Sequence, residues 1–420
     1  MPESPGTTSA LSHEQFTELL AVTRALAVTT ELDALLARIA SAACKMLDCE
    51  RASIFLHDER ADELWTKVAV GVAREIRVPA GAGIVGAALR SNALIHVPDP
   101  YADPRFNPEP DRASGFRTRS LLTSPMADVD GKPVGVIQAV NKKSERFLDS
   151  DLPLIRLLAD QAGVAIQRYR LEQAALAGAE LHREMTLAHT VQMGMIPRDP
   201  PCIAGLTCAG YTRPASITGG DAFDLWVLGD GRLGVFLGDA SGHGIGPALV
   251  VSQARTLLRA LCEMNADPAE LITRINGRLS QDLTDGRFVT MFVAMVAGDG
   301  TIHWTSGGHG PILLQRSPDG PVEQLMPPGT MVGWIDPYPL EPVAPLSLER
   351  GGRLIVLSDG IFEAFAPSGE KLEVAPVVDL VRRSSAGPRE LITEIQQLVR
   401  EWQQGDDPKD DQTAVIVQRL

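Results

Sequence analysis

Gly238-Asp239-Ala240-Ser241-Gly242-His243-Gly244 follows directly on the apolar run Leu233-Gly234-Val235-Phe236-Leu237. The run reads as a buried strand, and the motif closing it sets a carboxylate at the strand end among glycines. Three further motifs share this design. Gly219-Gly220-Asp221-Ala222-Phe223-Asp224 precedes an apolar run, Ser358-Asp359-Gly360 follows the run 353–357, and Lys409-Asp410-Asp411-Gln412-Thr413 opens another. One aspartate beside a glycine is an ordinary turn former. Four such motifs in one region, each at a strand end, form a set of hard oxygen donors suited to a pair of divalent cations. Carboxylates clustered in this way repel one another unless cations balance them.

Around these motifs the pattern is strand-rich. Strands are expected over 206–211, 225–228, 233–237, 289–296, 301–305, 312–314, 353–357 and 413–417. Helices are expected over 246–264, 267–284 and 388–403. Strands and helices are segregated, which predicts an α+β domain over 198–420 with two sheets stacked between helices.

Upstream, residues 12–47 read as helix, with Thr30 as N-cap and Asp33 completing a weak capping box. Leu32, Leu35, Leu36, Ile39, Ala43 and Met46 follow helical spacing. Strand-like runs at 52–57, 64–71 and 75–78 come next, then the turn Gly81-Ala82-Gly83 and a short helix over 84–90. A long loop is expected over 99–118. A hairpin follows, with arms 120–126 and 133–140 around Asp130-Gly131. A helix beginning near Asp149 is expected to bury Leu154, Leu157, Leu158 and Val164.

Its helical pattern continues past the domain edge. Leu171, Ala174, Gly178, Leu181, Met185, Ala188, Gln192 and Met195 step by three and four, which is heptad spacing. The alanines, glycine and glutamine make a weak seam, so residues 170–197 read as a helical coiled-coil linker of a homodimer, or as one helix lying on the next domain. Pro197, Pro200 and Pro201 end it.

Two resemblances follow from these motifs. Residues 12–169 resemble a GAF domain, an antiparallel sheet with flanking helices, through Gly81-Ala82-Gly83-Ile84-Val85-Gly86 and the strand Gly135-Val136-Ile137-Gln138-Ala139-Val140-Asn141-Lys142. Such domains bind small molecules or dimerise. Asn141-Lys142, Phe147 and Asp151 match most of the signature of cyclic-nucleotide-binding members, with Leu152 where a glutamate is expected. Asn141, Lys142 and Asp151 are therefore candidate ligand contacts; Lys142 and Asp151 as a structural ion pair are the alternative. Residues 198–420 resemble the PPM (protein phosphatase 2C-like) β-sandwich flanked by helices, in its SpoIIE/RsbU branch. Gln192 to Pro197, Tyr211-Thr212-Arg213-Pro214-Ala215, the four acidic motifs and Gly307-Gly308-His309-Gly310-Pro311 carry that resemblance. Ala222-Phe223 departs from it, since two aromatics are common there.

The resemblance implies a metal-dependent serine/threonine phosphoprotein phosphatase using two Mn²⁺ or Mg²⁺ ions. Hydrolysis of phosphate monoesters needs such ions because water is a poor nucleophile and the phosphoryl group repels anions. By resemblance Asp239 bridges both metals, and the Ala240 carbonyl adds a ligand. Asp221 serves the second metal, Asp359 and Asp410 hold the first, and Asp411 is able to take the place of Asp410. Asp224 is assigned a supporting role. Arg213 is a candidate for substrate phosphate or a fold-stabilising residue. His243 is a candidate proton donor or turn former, and His309 is expected to order its own turn. The implied substrate is a phosphorylated STAS-type anti-sigma-factor antagonist.

With 39 basic and 53 acidic residues the formal charge is −14, which argues against nucleic acid or an anionic membrane as partner. No apolar run reaches the length of a membrane span. Residues 1–11 lack a signal-peptide pattern and are expected to be disordered. Five scattered cysteines, none in a Cys-x-x-Cys pair, suit the cytoplasm and give no zinc pattern. Two rival readings remain. Gly219-Gly220-Asp221-Ala222-Phe223 looks like the Gly-Gly-Asp-Glu-Phe signature of diguanylate cyclases, though its glutamate is alanine here and the other acidic motifs have no role in that fold. The other rival is a catalytically inactive ligand-sensing scaffold.

Overall fold

A computed structural model describes residues 13–28, 31–69, 77–144, 146–264, 267–283 and 286–420. The expected lead-in over 1–11, the Thr30 cap, the strand ends within 70–76 and the helix end at Thr284 lie outside the described residues. The chain divides into two compact units after Ala179.

The first unit holds α1 (His13–Val28), α2 (Leu32–Met46), β1 (Cys49–Asp58), β2 (Glu63–Ala69), β3 (Arg77–Pro79), α3 (Gly83–Ser91), β4 (Ile95–Val97), α4 (Glu109–Ser114), β5 (Leu121–Ala127), β6 (Pro133–Lys142) and the first part of α5 (Leu152–Met195). Its sheet runs β3-β2-β1-β6-β5-β4 with antiparallel neighbours. Leu36, Ile39 and Ala43 of α2 and Ile155, Leu158 and Ile166 of α5 pack on Ile54 and Ile137 of the sheet. Three expectations need correction. The helical span 12–47 is two helices, α1 and α2. The expected loop 99–118 contains a 3-10 turn at Pro100–Ala102, capped by Asp99, and the helix α4. Val164 is 46% exposed, because the buried stripe of α5 runs through 155, 158, 162 and 166 and leaves 164 on the far side.

The second unit holds the end of α5, β7 (Leu206–Arg213), β8 (Asp221–Val227), β9 (Leu233–Ala240), α6 (Ile245–Cys262), α7 (Pro268–Asp282), β10 (Val289–Val296), β11 (Thr301–Gly307), β12 (Ile312–Gln315), β13 (Val322–Leu325), β14 (Leu346–Ser347), β15 (Arg353–Leu357), α8 (Asp359–Phe362), α9 (Val374–Arg383), α10 (Pro388–Trp402) and β16 (Gln412–Arg419). They form two five-stranded sheets, β14-β11-β10-β9-β8 and β13-β12-β15-β16-β7. Strand alternation assigns the faces. Phe223, Leu225, Leu237, Phe292, Val356 and Val415 fill the space between the sheets. Trp226, Phe236 and Met291 face outward to Val251 and Leu258 of α6 and Ile275 of α7. Ile355 and Ile416 face Val377 of α9 and Ile392 and Ile395 of α10. β9 and β10 are covered on both faces, which is why they read as nearly unbroken apolar runs. Each large side chain so buried contributes about 1.5–3 kcal/mol. This core lets the domain tolerate a cluster of repelling carboxylates at one end.

Helix starts follow local chemistry. The Asp267 side chain accepts from Glu270 N at 3.0 Å and caps α7, and Pro388 opens α10. The end of α5 lies on its own unit: Met185 and Ala188 are half-buried and Gln192 is buried, whereas Leu171 and Leu181 are exposed. Among the described residues no helix is long and apolar enough to cross a membrane.

Candidate active site

The β8–β9 hairpin makes Asp221 and Asp239 direct cross-strand partners. Their side chains therefore share the inner face with Phe223 and Leu237. On the opposite sheet Asp359 stands two residues beyond the end of β15, and Asp410-Asp411 lead into β16. Ser358 locks these two strand ends together. Its N–H donates to Thr413 O at 2.9 Å, its Oγ accepts from Thr413 N at 2.8 Å and donates to Asp411 O at 3.0 Å. All four acidic motifs thus meet at one end of the sandwich.

The electrostatics reflect that crowding. Burial, with Asp239 next to it, pushes Asp221 well above the usual carboxylate range. Burial and the Asp359 and Asp410 carboxylates push Asp239 up to about 7, partly offset by a hydrogen bond with Asp221. Asp359 is raised by burial and by Asp410. Among the described residues no three acidic, histidine or cysteine side chains stand close enough to hold one ion; the carboxylates face one another more loosely across this end of the sandwich, the mouth of the site. Two features of that mouth suit hard cations. Asp221 Oδ2 is buried with no hydrogen-bond partner among the described residues. A Cβ at Gly220 would stand 2.6 Å from Ala240 O, 3.3 Å from Asp239 Oδ1 and 3.4 Å from Gly242 O, so glycine there leaves a cradle of oxygens open.

The adjacent aspartates of the last motif have different surroundings. Asp411 is buried, and its Oδ1 and Oδ2 accept from Ala215 N at 2.7 Å and Asp221 N at 3.2 Å. Asp410 is exposed and accepts only a local bond from Asp411 N among the described contacts, which leaves it the freer donor. Asp224 points to the opposite face, where it pairs with Arg255 at 2.8 Å and Arg259 at 3.7 Å of α6. Arg213 ends β7 opposite Gln412 and pairs with exposed Asp407 at 3.3 Å. His243 is exposed in the turn between β9 and α6.

Two residues do more here than their sequence positions suggested. His309 was expected to order its own turn, yet it joins the two sheets. Its Nε2 donates to Leu357 O at 3.0 Å and its Nδ1 accepts from Thr290 Oγ1 at 3.1 Å. Thr290 is the cross-strand partner of Asp239, and Leu357 lies two residues before Asp359. Burial lowers His309 to about 4, so it is neutral near pH 7. Gln192, read as a poor seam residue, is buried against Gly219. Its place at the head of the stretch 192–197 that carries the family resemblance, and a polar side chain on an otherwise apolar seam, were the signals.

In the first unit Lys142 Nζ meets Asp151 Oδ1 at 2.8 Å, and Asp151 Oδ2 accepts from Leu148 N at 2.8 Å. Asn141 accepts from Arg119 N at 2.6 Å and donates to Glu50 Oε2 at 2.8 Å. A cavity of about 240 Å³ lies elsewhere in that unit, lined by Phe55, Phe106, Asp111, Thr118 and Gln138 among others, with Asn141, Lys142 and Asp151 outside its lining. The geometry therefore favours the structural ion pair.

Comparison with known proteins bears on the two domains and their folds. Residues 31–166 match the GAF domain family and residues 229–420 match the family Stage II sporulation protein E (SpoIIE). The SiaA-PP2C domain of Pseudomonas aeruginosa superposes with a TM-score of 0.50 at 17% identity, covering 59% of this chain and 99% of that one, which shows the fold. The RsbU and RsbW domains of a Mycobacterium tuberculosis protein superpose with a TM-score of 0.45 at 27% identity, over 52% of this chain and 62% of that one. The dual 3',5'-cyclic-AMP and -GMP phosphodiesterase 11A of Takifugu rubripes is 34% identical over 146 residues, 31% of this chain. The chain spans only 16%, 8% and 21% of the lengths of three curated relatives that it matches. The chain thus carries a GAF domain over 31–166, followed by a SpoIIE-type PPM domain over 229–420.

Proposed function

We propose that this chain is a Mn²⁺- or Mg²⁺-dependent phosphoprotein phosphatase for phosphoserine or phosphothreonine, controlled by its GAF domain and working in the cytoplasm. One observation carries the reading: Asp221, Asp239, Asp359 and Asp410 come from four strand ends to one mouth, beside the cradle that Gly220 leaves open. Asp239 would hold both ions, with the Ala240 carbonyl as a further ligand; Asp221 would hold the second, and Asp359 and Asp410 the first. Bound there, two such ions would supply an activated water and neutralise phosphoryl charge. The chain's own groups set the geometry for this. Asp411 holds the backbone of the first motif, His309 ties the two sheets together below the mouth, and Arg213 on the rim can meet substrate phosphate.

The substrate proposed is a phosphorylated STAS-type anti-sigma-factor antagonist. The cavity of the GAF domain is proposed to take a small ligand, and the exposed Leu171 and Leu181 of α5 favour a parallel homodimer. Against a diguanylate cyclase stands Ala222, buried on the helix-facing side of β8 where that enzyme's signature has a glutamate. The test is phosphate release from a phosphoserine-bearing antagonist protein, run beside GTP. Phosphate release with no cyclic di-GMP supports the reading. Cyclic di-GMP from GTP would revive the cyclase, and no turnover of either would favour an inactive scaffold.

A further inference from the structure

Gln192 sits in the last turn of α5 and is 5% exposed. Its Nε2 donates to Gly219 O at 2.7 Å and its Oε1 accepts from Gly219 N at 3.3 Å. One side-chain amide thus satisfies both backbone groups of one residue. The same Nε2 lies 3.5 Å from Asp221 O. On its other side Gly219 packs on the Asp411 carboxylate, which holds Ala215 N and Asp221 N. The segment Gly219-Gly220-Asp221 is therefore clamped between an amide from α5 and a carboxylate from the start of β16. That segment carries the Gly220 cradle and the buried Asp221 oxygen.

We infer that Gln192 is a positioning residue that makes the cation affinity of the site depend on where the last turn of α5 stands. The inference rests on the proposed metal site and adds its regulation. An α-helix advances 1.5 Å and turns 100° per residue. A hydrogen bond tolerates only a few tenths of an ångström before it weakens. A slip of α5 by one residue breaks both bonds to Gly219 and leaves two buried backbone groups unpaired. The segment then relaxes, and Asp221 and the cradle move with it. A heptad position that seemed merely to weaken a seam is in this view where helix register is read.

The experiment uses the full chain and Mn²⁺ as the probe. Affinity is measured by calorimetry, melting temperature with chelator, and turnover of a generic phosphoester across a Mn²⁺ titration. Gln192→Met keeps side-chain length and removes both bonds; Leu187→Ala, at an exposed position on the same helix, is the control. Gln192→Met is expected to bind Mn²⁺ about tenfold more weakly, the change one buried hydrogen bond corresponds to. Its turnover at saturating Mn²⁺ should return toward the parent value, while Leu187→Ala behaves as the parent. Unchanged Mn²⁺ affinity in Gln192→Met, whatever its melting temperature, would reduce Gln192 to a structural contact and overturn the inference. A parent chain that binds no Mn²⁺ would overturn the metal site itself and this inference with it.

Discussion

Replacing Asp239 by Asn should stabilise the chelator-treated phosphatase domain while abolishing its activity. Asp239 is pushed from the ordinary 3.8 up to about 7 by burial and by Asp359 and Asp410. At about 1.4 kcal/mol per pH unit, the ionised carboxylate then costs the folded domain roughly 4 kcal/mol. The sign follows from linkage. Between about pH 4 and 7 the folded state binds more protons than the unfolded state, so stability falls as pH rises through that window. The cost is complete above pH 7 and absent near pH 4. Asn removes the charge but weakens the hydrogen bond with Asp221, so a net gain of about 2 kcal/mol at pH 8 is expected. For a domain of this size that is roughly 4–8 °C in melting temperature. The assay is thermal unfolding of parent and Asp239→Asn with chelator at pH 8 and pH 5. The gain should shrink markedly at pH 5, and Mn²⁺ should raise the melting temperature of the parent alone. A variant no more stable than the parent at pH 8, or a gain equal at both pH values, would refute the argument that these carboxylates repel one another across the proposed cation site.

Asp410→Ala should abolish turnover with little change in stability. Asp411→Ala should instead lose about 2–3 kcal/mol, because Ala215 N and Asp221 N lose their buried acceptor; chemical denaturation beside turnover separates the two. His309 is lowered to about 4 by burial, so its contribution is intact above about pH 6.5 and is lost as pH falls toward 4; His309→Gln should flatten that acid limb in a stability–pH profile. Insertions of three or four residues near Gly178 should keep the fold but shift basal activity or ligand response, read across a series of one to seven inserted residues. A monomer at every concentration with one rate for all insertions would leave the connector a passive tether.

The acidic motifs were legible because their chemistry is local: an aspartate at the end of an apolar run needs no partner to be recognised. Their convergence was legible only through the family resemblance. Nothing in the residues around Asp239 says that Asp221 is its cross-strand partner, because pairing register is set by the buried faces of whole strands. The choice between Asp410 and Asp411 was open for a similar reason. Two adjacent carboxylates look alike until the backbone N–H groups of Ala215 and Asp221, nearly 200 residues away, are seen to occupy one of them. Heptad spacing correctly found the face of α5 holding Met185, Ala188 and Gln192, but spacing alone does not tell a second helix from the domain the face lies on. The short α4 and α9 were missed, and Val164 was expected on the buried side of α5 when the helix turns it outward.

The most direct test of the central claim is phosphoester hydrolysis by the full chain with Mn²⁺, with Mg²⁺ and with excess chelator, beside Asp239→Ala under the same conditions. The predicted result is turnover that needs either cation, vanishes with chelator and is absent in the variant, which remains folded. Full activity in excess chelator, or an active Asp239→Ala protein, would contradict it.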